Sequence, residues 1–183
     1  MRLYKQTVQD FGLYTGLELS EKEMQALCEA AGAMSAKMRA VRIVAASNVS
    51  KKDLQQRLIR KGEDPEQAKD AVAWMEDLQL VDDRKTAELI VQKCINKGYG
   101  VSRAKQALFE KQIPKRFWAD VLEGYPDQTE AISSFLQIHL RDANDTKQLR
   151  KVIDALLRRG HSYHQIRKAL EQISADFEEF PEG

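Results

Sequence analysis

Apolar residues recur along this chain with the period of an α-helix. Ala87, Ile90, Val91, Cys94 and Ile95 fall at i, i+3, i+4, i+7 and i+8, and Leu149, Val152, Ile153, Leu156 and Leu157 repeat that spacing. Each set lays one apolar stripe on a helix that is charged elsewhere. Met34, Met38, Val41 and Ala45 give a weaker stripe. Ser20-x-x-Glu23, Ser50-x-x-Asp53 and Asp127-x-x-Glu130 have the form of capping boxes or close variants, so helices are expected to start there.

A longer period lies over the short one. Leu58-Ile-Arg-Lys-Gly62 is followed by Ala68 and Val72, Leu108-Phe-Glu-Lys-Gln112 by Trp118 and Leu122, and Leu156-Leu-Arg-Arg-Gly160 by Ile166 and Leu170. In each copy the later apolar positions fall 10 and 14 residues after the leucine, and the copies stand 50 and 48 residues apart. One supersecondary unit is used three times. Each unit reads as three helices: 37–46, 50–61 and 65–78; then 83–97, 102–111 and 115–123; then 128–141, 146–159 and 163–173. Gly62 and Gly160 sit where a left-handed residue ends a helix, with Asp64 and Ser162 placed to cap the next. Gln112 stands in the glycine's place, at a cost of about 1 kcal/mol, so that turn is expected to differ. Residues 1–35 form an N-terminal extension with a helix over 20–31 and an ambiguous stretch over 9–19. Repeats then occupy 36–80, 81–126 and 127–175, and an acidic, frayed tail 176–183. The expected fold is all-α: three tandem three-helix repeats in an elongated, curved array.

Composition narrows this picture. The chain of 183 residues is 43% hydrophobic and 31% charged, which supports a folded core rather than disorder. Only 7% is aromatic, so that core is mostly aliphatic. The formal charge of +1 is uneven: Ala36–Pro126 holds 18 basic and 13 acidic residues, whereas both flanks are mildly acidic. A basic middle can present a directed positive face. Cys28 and Cys94 lie on apolar helical faces without metal-binding spacing, which fits buried thiols in a reducing compartment. The N-terminus lacks the apolar core of a signal peptide, and no run reaches membrane-span length. A cytoplasmic protein with no membrane partner is expected.

Catalytic constellations are missing. His161 and His164 stand three apart without a third ligand, as in a partly exposed turn. Ser162 is better placed as a cap than as a nucleophile. Gly98-Tyr-Gly100 has no preceding strand and no following GK[ST], so it is not a phosphate loop. Asp82-Asp83 suits a helix start. No RNP motif or zinc finger is present. The chain is expected not to be an enzyme, to need no cofactor, and to bind neither metal nor nucleotide tightly.

Basic residues remain. Lys61, Lys111 and Arg159 are equivalent in the three units, each at the end of a second helix, where a cation suits the macrodipole. Lys97, Arg103, Lys105, Lys111, Lys115 and Arg116 crowd the middle unit around Tyr99. Such a patch is suited to a phosphate backbone or an acidic protein groove. Arg158, Arg159, Arg167 and Lys168 form a second basic group in the third unit. These eleven residues are the candidate partner-binding set.

The string Lys97-Gly-Tyr-Gly-Val-Ser-Arg103-Ala-Lys-Gln-Ala-Leu108-Phe-Glu-Lys111-Gln-Ile113 resembles the middle of the RecX regulatory proteins. So do Ser50-Lys-Lys-Asp53-Leu54-Gln-Gln-Arg57-Leu58-Ile-Arg-Lys61-Gly62 and Leu80-Val-Asp82-Asp83-Arg-Lys-Thr86-Ala87. Leu156-Leu-Arg-Arg-Gly160-His-Ser162-Tyr163-His-Gln-Ile166-Arg-Lys-Ala-Leu170 is similar to the RecX C-terminal repeat, and Gly16-Leu-Glu-Leu19-Ser20-Glu21 to the N-terminal segment of longer members. The resemblance covers Gly16 to Ile173 and departs at Thr86, where the family has an aromatic, and at Gln112, where it has glycine. It implies no enzymatic activity and one principal partner, the RecA recombinase filament on single-stranded DNA. RecX proteins lodge in that filament's helical groove and inhibit its recombinase and coprotease functions. Single- or double-stranded DNA is a candidate further partner, and a monomer is expected. Two other readings stay open. Ser102–Lys111 could be a recognition helix of a direct DNA-binding protein with helix-turn-helix-like units, or the array could be a peptide scaffold.

Overall fold

The computed structural model describes residues 3–140 and 145–178, with side chains to residue 173. The described residues form ten α-helices and no strand: α1 (Lys5–Asp10), α2 (Glu21–Ala46), α3 (Lys51–Arg60), α4 (Pro65–Asp77), α5 (Asp83–Asn96), α6 (Val101–Glu110), α7 (Trp118–Leu122), α8 (Thr129–His139), α9 (Thr146–Arg158) and α10 (Tyr163–Glu178). A 3-10 turn, Lys115–Phe117, leads into α7. The chain forms two compact units, Met1–Thr86 and Ala87–Gly183. None of these helices is long and apolar enough to cross a membrane.

Three differences from the expected layout have physical causes. The stretches read as helices over 20–31 and 37–46 are one helix, α2. Ala, Met and Lys between them favour continuation, and Gly32 alone costs about 1 kcal/mol, too little to break a helix packed on α3 and α4. The segment 115–123 is tightened at its start into a 3-10 turn behind Pro114, so α7 is short. The last helix continues past 173 to Glu178, into the expected tail; residues 179–183 and the expected end of the 128–141 helix at Arg141 lie outside the described residues.

Caps account for the starts. Ser20 and Glu23 form a full capping box: Ser20 Oγ accepts from the Glu23 N–H at 3.3 Å and Glu23 Oε2 accepts from the Ser20 N–H at 2.8 Å. The Ser20 hydroxyl also donates to Glu23 Oε2 at 2.7 Å, and that bond, followed by the one from the Ser20 N–H, holds the Glu23 carboxyl below the usual carboxylate range. Ser162 and Gln165 make the same reciprocal pair at 3.2 and 3.0 Å. Asp64 caps α4 through the Glu66 and Gln67 N–H groups. Asp127 instead accepts from Thr129, one residue off a full box, and Gln128 is the residue at the N-cap.

Three separate cores sit under the three repeats. Leu54, Leu58, Val72 and Met75 anchor the first, Ala87, Val91, Leu108 and Ile113 the second, and Ile132, Leu136, Leu156 and Ile166 the third. Leu58, Leu108 and Leu156 are each fully buried. The turn after each leucine is the same object three times. The N–H of Glu63, Ile113 and His161 donates to the carbonyl of Leu58, Leu108 and Leu156 at 3.1, 3.0 and 3.3 Å. Gly62, Gln112 and Gly160 all take positive φ, at 89°, 55° and 86°. The expectation that Gln112 alters its turn is therefore corrected: the backbone pattern survives a non-glycine residue, because the two flanking bonds and the buried Ile113 hold it there. Thr86, the other departure, is buried and donates to the Val49 carbonyl at 3.5 Å. Of the two cysteines only Cys94 is buried; Cys28 is exposed, one position off the Leu27–Ala31 stripe of α2.

Candidate partner-binding face

The strongest gathering of candidate residues lies in the second unit, where the α5–α6 turn meets the α9–α10 turn. Gly98 (φ 61°) ends α5, and the Tyr99 N–H returns to the Cys94 carbonyl at 3.0 Å. Gly100 is the N-cap of α6 and has no side chain to cap with; its N–H donates to the Arg159 carbonyl at 2.9 Å. A Cβ on Gly100 would overlap the Gly160 carbonyl, and one on Gly160 would overlap the Arg103 backbone nitrogen. These glycines are required by close approach of two backbones as well as by helix termination. Nothing local in the sequence signals that.

Side chains complete the contact. Arg159 Nη2 donates to the Lys97 carbonyl at 3.0 Å, and its guanidinium lies 5.2 Å from the Tyr99 ring centre and 4.9 Å from that of Phe135. Both are cation–π distances. Lys97 Nζ lies 6.0 Å from the Tyr99 ring centre. The Tyr125 hydroxyl donates to the Tyr99 carbonyl at 2.6 Å. Burial, with the nearby Cys94 thiol adding, pushes that hydroxyl up to about 12, so it remains a neutral donor. Burial likewise raises the Cys94 thiol, opposed by Arg103, Lys97 and Lys93.

His161 is the residue that sequence reasoning missed. It is 4% exposed, not part of an open turn, and its Nε2 lies 3.0 Å from the Gly98 carbonyl. A carbonyl only accepts, so Nε2 carries the hydrogen. Nδ1 is buried and has no hydrogen-bond partner among the described residues. Burial holds the imidazole below its ordinary range, Arg159 adds to that, and the Gly98 bond opposes it. His161 is thus a neutral donor locking two turns together. The only advance signal was its register, five residues after the repeat leucine. His164 is exposed, and no group of three metal-ligating side chains occurs among the described residues.

The contact brings Lys97, Tyr99, Arg103 and Arg159 together. Arg103 is half-buried and pairs with Glu110 at 3.1 Å. Lys105, Lys115, Arg158 and Lys168 are exposed, and Lys111 is half-buried. Arg116 lies 4.8 Å from the Phe117 ring centre, and Arg167 pairs with Glu171 at 2.8 Å. Lys105, Lys115, Arg116, Arg158, Arg167 and Lys168 make no hydrogen bond or ion pair to the cluster. The face is therefore a fixed group of four with further cations on the helices that carry it.

No family model matches the chain. Its sequence is similar over most of its length to proteins named Regulatory protein RecX. It is 29% identical over 142 residues to that of Chlorobaculum tepidum, covering 76% of this chain and 88% of the relative. It is 27% identical over 158 residues to that of Halorhodospira halophila, covering 84% and 98%. It is 25% identical over 174 residues to that of Clostridium acetobutylicum, covering 90% and 81%. Among solved structures, the fold matches a crystal structure of regulatory protein RecX with a TM-score of 0.69 at 22% identity, over 90% of this chain and 85% of that one. It also matches RecX from Lactobacillus salivarius with a TM-score of 0.66 at 20% identity, over 80% and 99%. The sequence similarity over most of the chain and the all-helical fold shared with RecX crystal structures support the RecX family of regulatory proteins for this chain.

Proposed function

We propose that this chain binds the RecA recombinase filament on single-stranded DNA, in its helical groove, and inhibits recombinase and coprotease activities. It acts in the cytoplasm as a monomer, without catalysis, through the repeats at 36–80, 81–126 and 127–175. One observation carries the reading: Lys97, Arg103 and Arg159 are held around Tyr99 by the Gly100–Gly160 backbone contact, with Lys105 exposed on the same helix as Arg103. Cations held in place before binding suit an acidic groove or exposed phosphates, since little further ordering is lost on contact.

A second reading is a direct DNA-binding protein with α6 as its recognition helix. The exposed Ser102, Lys105 and Gln106 favour it. Titrating the chain into recombinase turning over ATP on single-stranded DNA separates the two. Inhibition of the ATPase, with weak binding to the same DNA alone, supports filament binding. Unchanged ATPase with tight, salt-sensitive DNA binding supports the second reading.

A further inference from the structure

We propose that unit 1 carries a binding site for a linear phosphate-bearing anion, a di- or triphosphate, in the cleft between α2 and α3. The α2 wall presents Arg39, Arg42, Ile43 and Ala46, and the α3 wall presents Arg57 and Lys61. The cleft holds about 450 Å³, within the range of small-ligand sites.

The α2 positions fall at i, i+3, i+4 and i+7, on the margin of the face packed against α3: Ile43 is buried and Arg39 half-buried, whereas Arg42 and Ala46 are exposed. Two arginines on that margin, facing a third cation on α3, call for a cause. Helix-dipole compensation does not supply one. That effect fades beyond the last turn, and the last turn of α2 holds no basic residue. Ion pairing explains only half of the charge. Arg39 pairs through Nε with Glu63 and donates Nη1 to the Lys61 carbonyl at 2.9 Å. Arg57 pairs with Asp53 through two bonds, at 2.9 and 2.8 Å, and its Nη1 reaches Ser47 Oγ at 3.3 Å. Both carboxylates are buried, so they fix these guanidiniums from behind. Arg42 and Lys61 are exposed and have no carboxylate partner among the described residues.

Four cations against two carboxylates leave an excess of two positive charges on one concavity. Planar guanidinium donors match phosphate oxygens in pairs, and an anchored guanidinium loses little freedom on binding. The volume exceeds what one phosphate fills, and the double charge excess suits a run of them. A concave site anchored from behind favours a compact anion over a strand that tracks a surface. The expectation of no tight nucleotide binding rested on the missing glycine loop; this site is built from side chains and needs no such loop.

Calorimetric titration of the full chain at low salt tests the proposal, with inorganic triphosphate, adenosine triphosphate and oligothymidylate as probes. Inorganic triphosphate is expected to bind saturably, one to one. Arg42→Gln with Lys61→Gln should weaken it by about tenfold or more, with circular dichroism unchanged. Should the pair not fold, Arg42→Gln alone, at an exposed side chain, should still weaken it. Equal affinity for adenosine triphosphate assigns recognition to the phosphates alone; higher affinity adds a contact of the nucleoside with Ile43 and Ala46. Absence of saturable binding by either triphosphate, or binding indifferent to both substitutions, overturns the proposal. So does oligothymidylate binding that needs Arg42 and Lys61 while neither triphosphate binds.

Discussion

His161 Nε2 donates to the Gly98 carbonyl at 3.0 Å, across 63 residues of chain. A protonated ring would still donate that bond, but the imidazole sits in a buried place beside the Arg159 guanidinium, which favours its neutral form. A protonated ring would bring a charge and a second unpaired N–H into that place. The folded imidazole therefore holds its proton less well than the unfolded one. This contribution to stability is fully present above the unfolded value, about 6.5, and is lost as pH falls through it toward the folded value. Urea unfolding of the wild type should show stability falling from pH 7.5 to below 6. In His161→Gln the slope attributable to this residue should vanish. An unchanged pH slope would count against the lock.

The glycines give a graded series. Gly62 has positive φ but open space around it, so Gly62→Ala should cost about 1 kcal/mol. Gly160 combines positive φ with backbone contact on Arg103, so Gly160→Ala should cost about 1–3 kcal/mol more, from the shift needed to relieve overlap. Gly100→Ala, at ordinary φ, should fall between them through contact alone. Melting temperatures of the three variants provide the order, and equal losses would show that the two turns do not touch.

Leu58, Leu108 and Leu156 have no exposed surface. Alanine at any one should cost about 2–5 kcal/mol by opening a cavity under its repeat. Because each belongs to a different core, hydrogen exchange should rise first in the repeat that carries the substitution. Uniform loss of protection along the chain would contradict three separate cores.

Charge reversal tests the proposed face. Lys97 and Lys105 are exposed and make no ion pair among the described residues, whereas Arg103 is tied to Glu110 and packs on Gly160. Lys97→Glu with Lys105→Glu should therefore preserve the circular dichroism spectrum and weaken inhibition of the recombinase ATPase about tenfold or more. The difference from wild type should shrink as salt rises, because counterions screen the same contacts. A folded double variant that inhibits like wild type at every salt concentration would move the face to Arg158 and Lys168.

The helices were legible because their signals are local. The Leu149–Leu157 stripe, the Ser20 box and the 10- and 14-residue offsets after each leucine all lie within one turn or one repeat. The break expected between residues 31 and 37 was not there, because tertiary packing on α3 and α4 carries α2 past a single glycine. The proposed binding face was half legible. Its charge was visible, but its geometry depends on residue pairs some 60 positions apart. Gly100 against Gly160 and Gly98 against His161 leave no periodic trace. Arg39 and Arg42 passed unnoticed for a related reason. They lie one position beside the weak Met38–Val41–Ala45 stripe, as charged residues on a solvated margin do, and only the facing Arg57 and Lys61 make a cleft of them.

Glu63, Ile113 and His161 occupy one slot in three copies of a turn, and the bond that fixes the slot uses only the backbone amide. The side chain there is consequently free to vary without loss of the turn. In the first repeat it is an acid that anchors Arg39, in the second a hydrocarbon that fills the core, and in the third a ring that clasps another turn. A duplicated unit can thus acquire a new task by one substitution at this position while its scaffold stays unchanged. Grafting is the practical form of the same idea: exchanging these residues among the repeats would transfer a tether, a plug or a clasp.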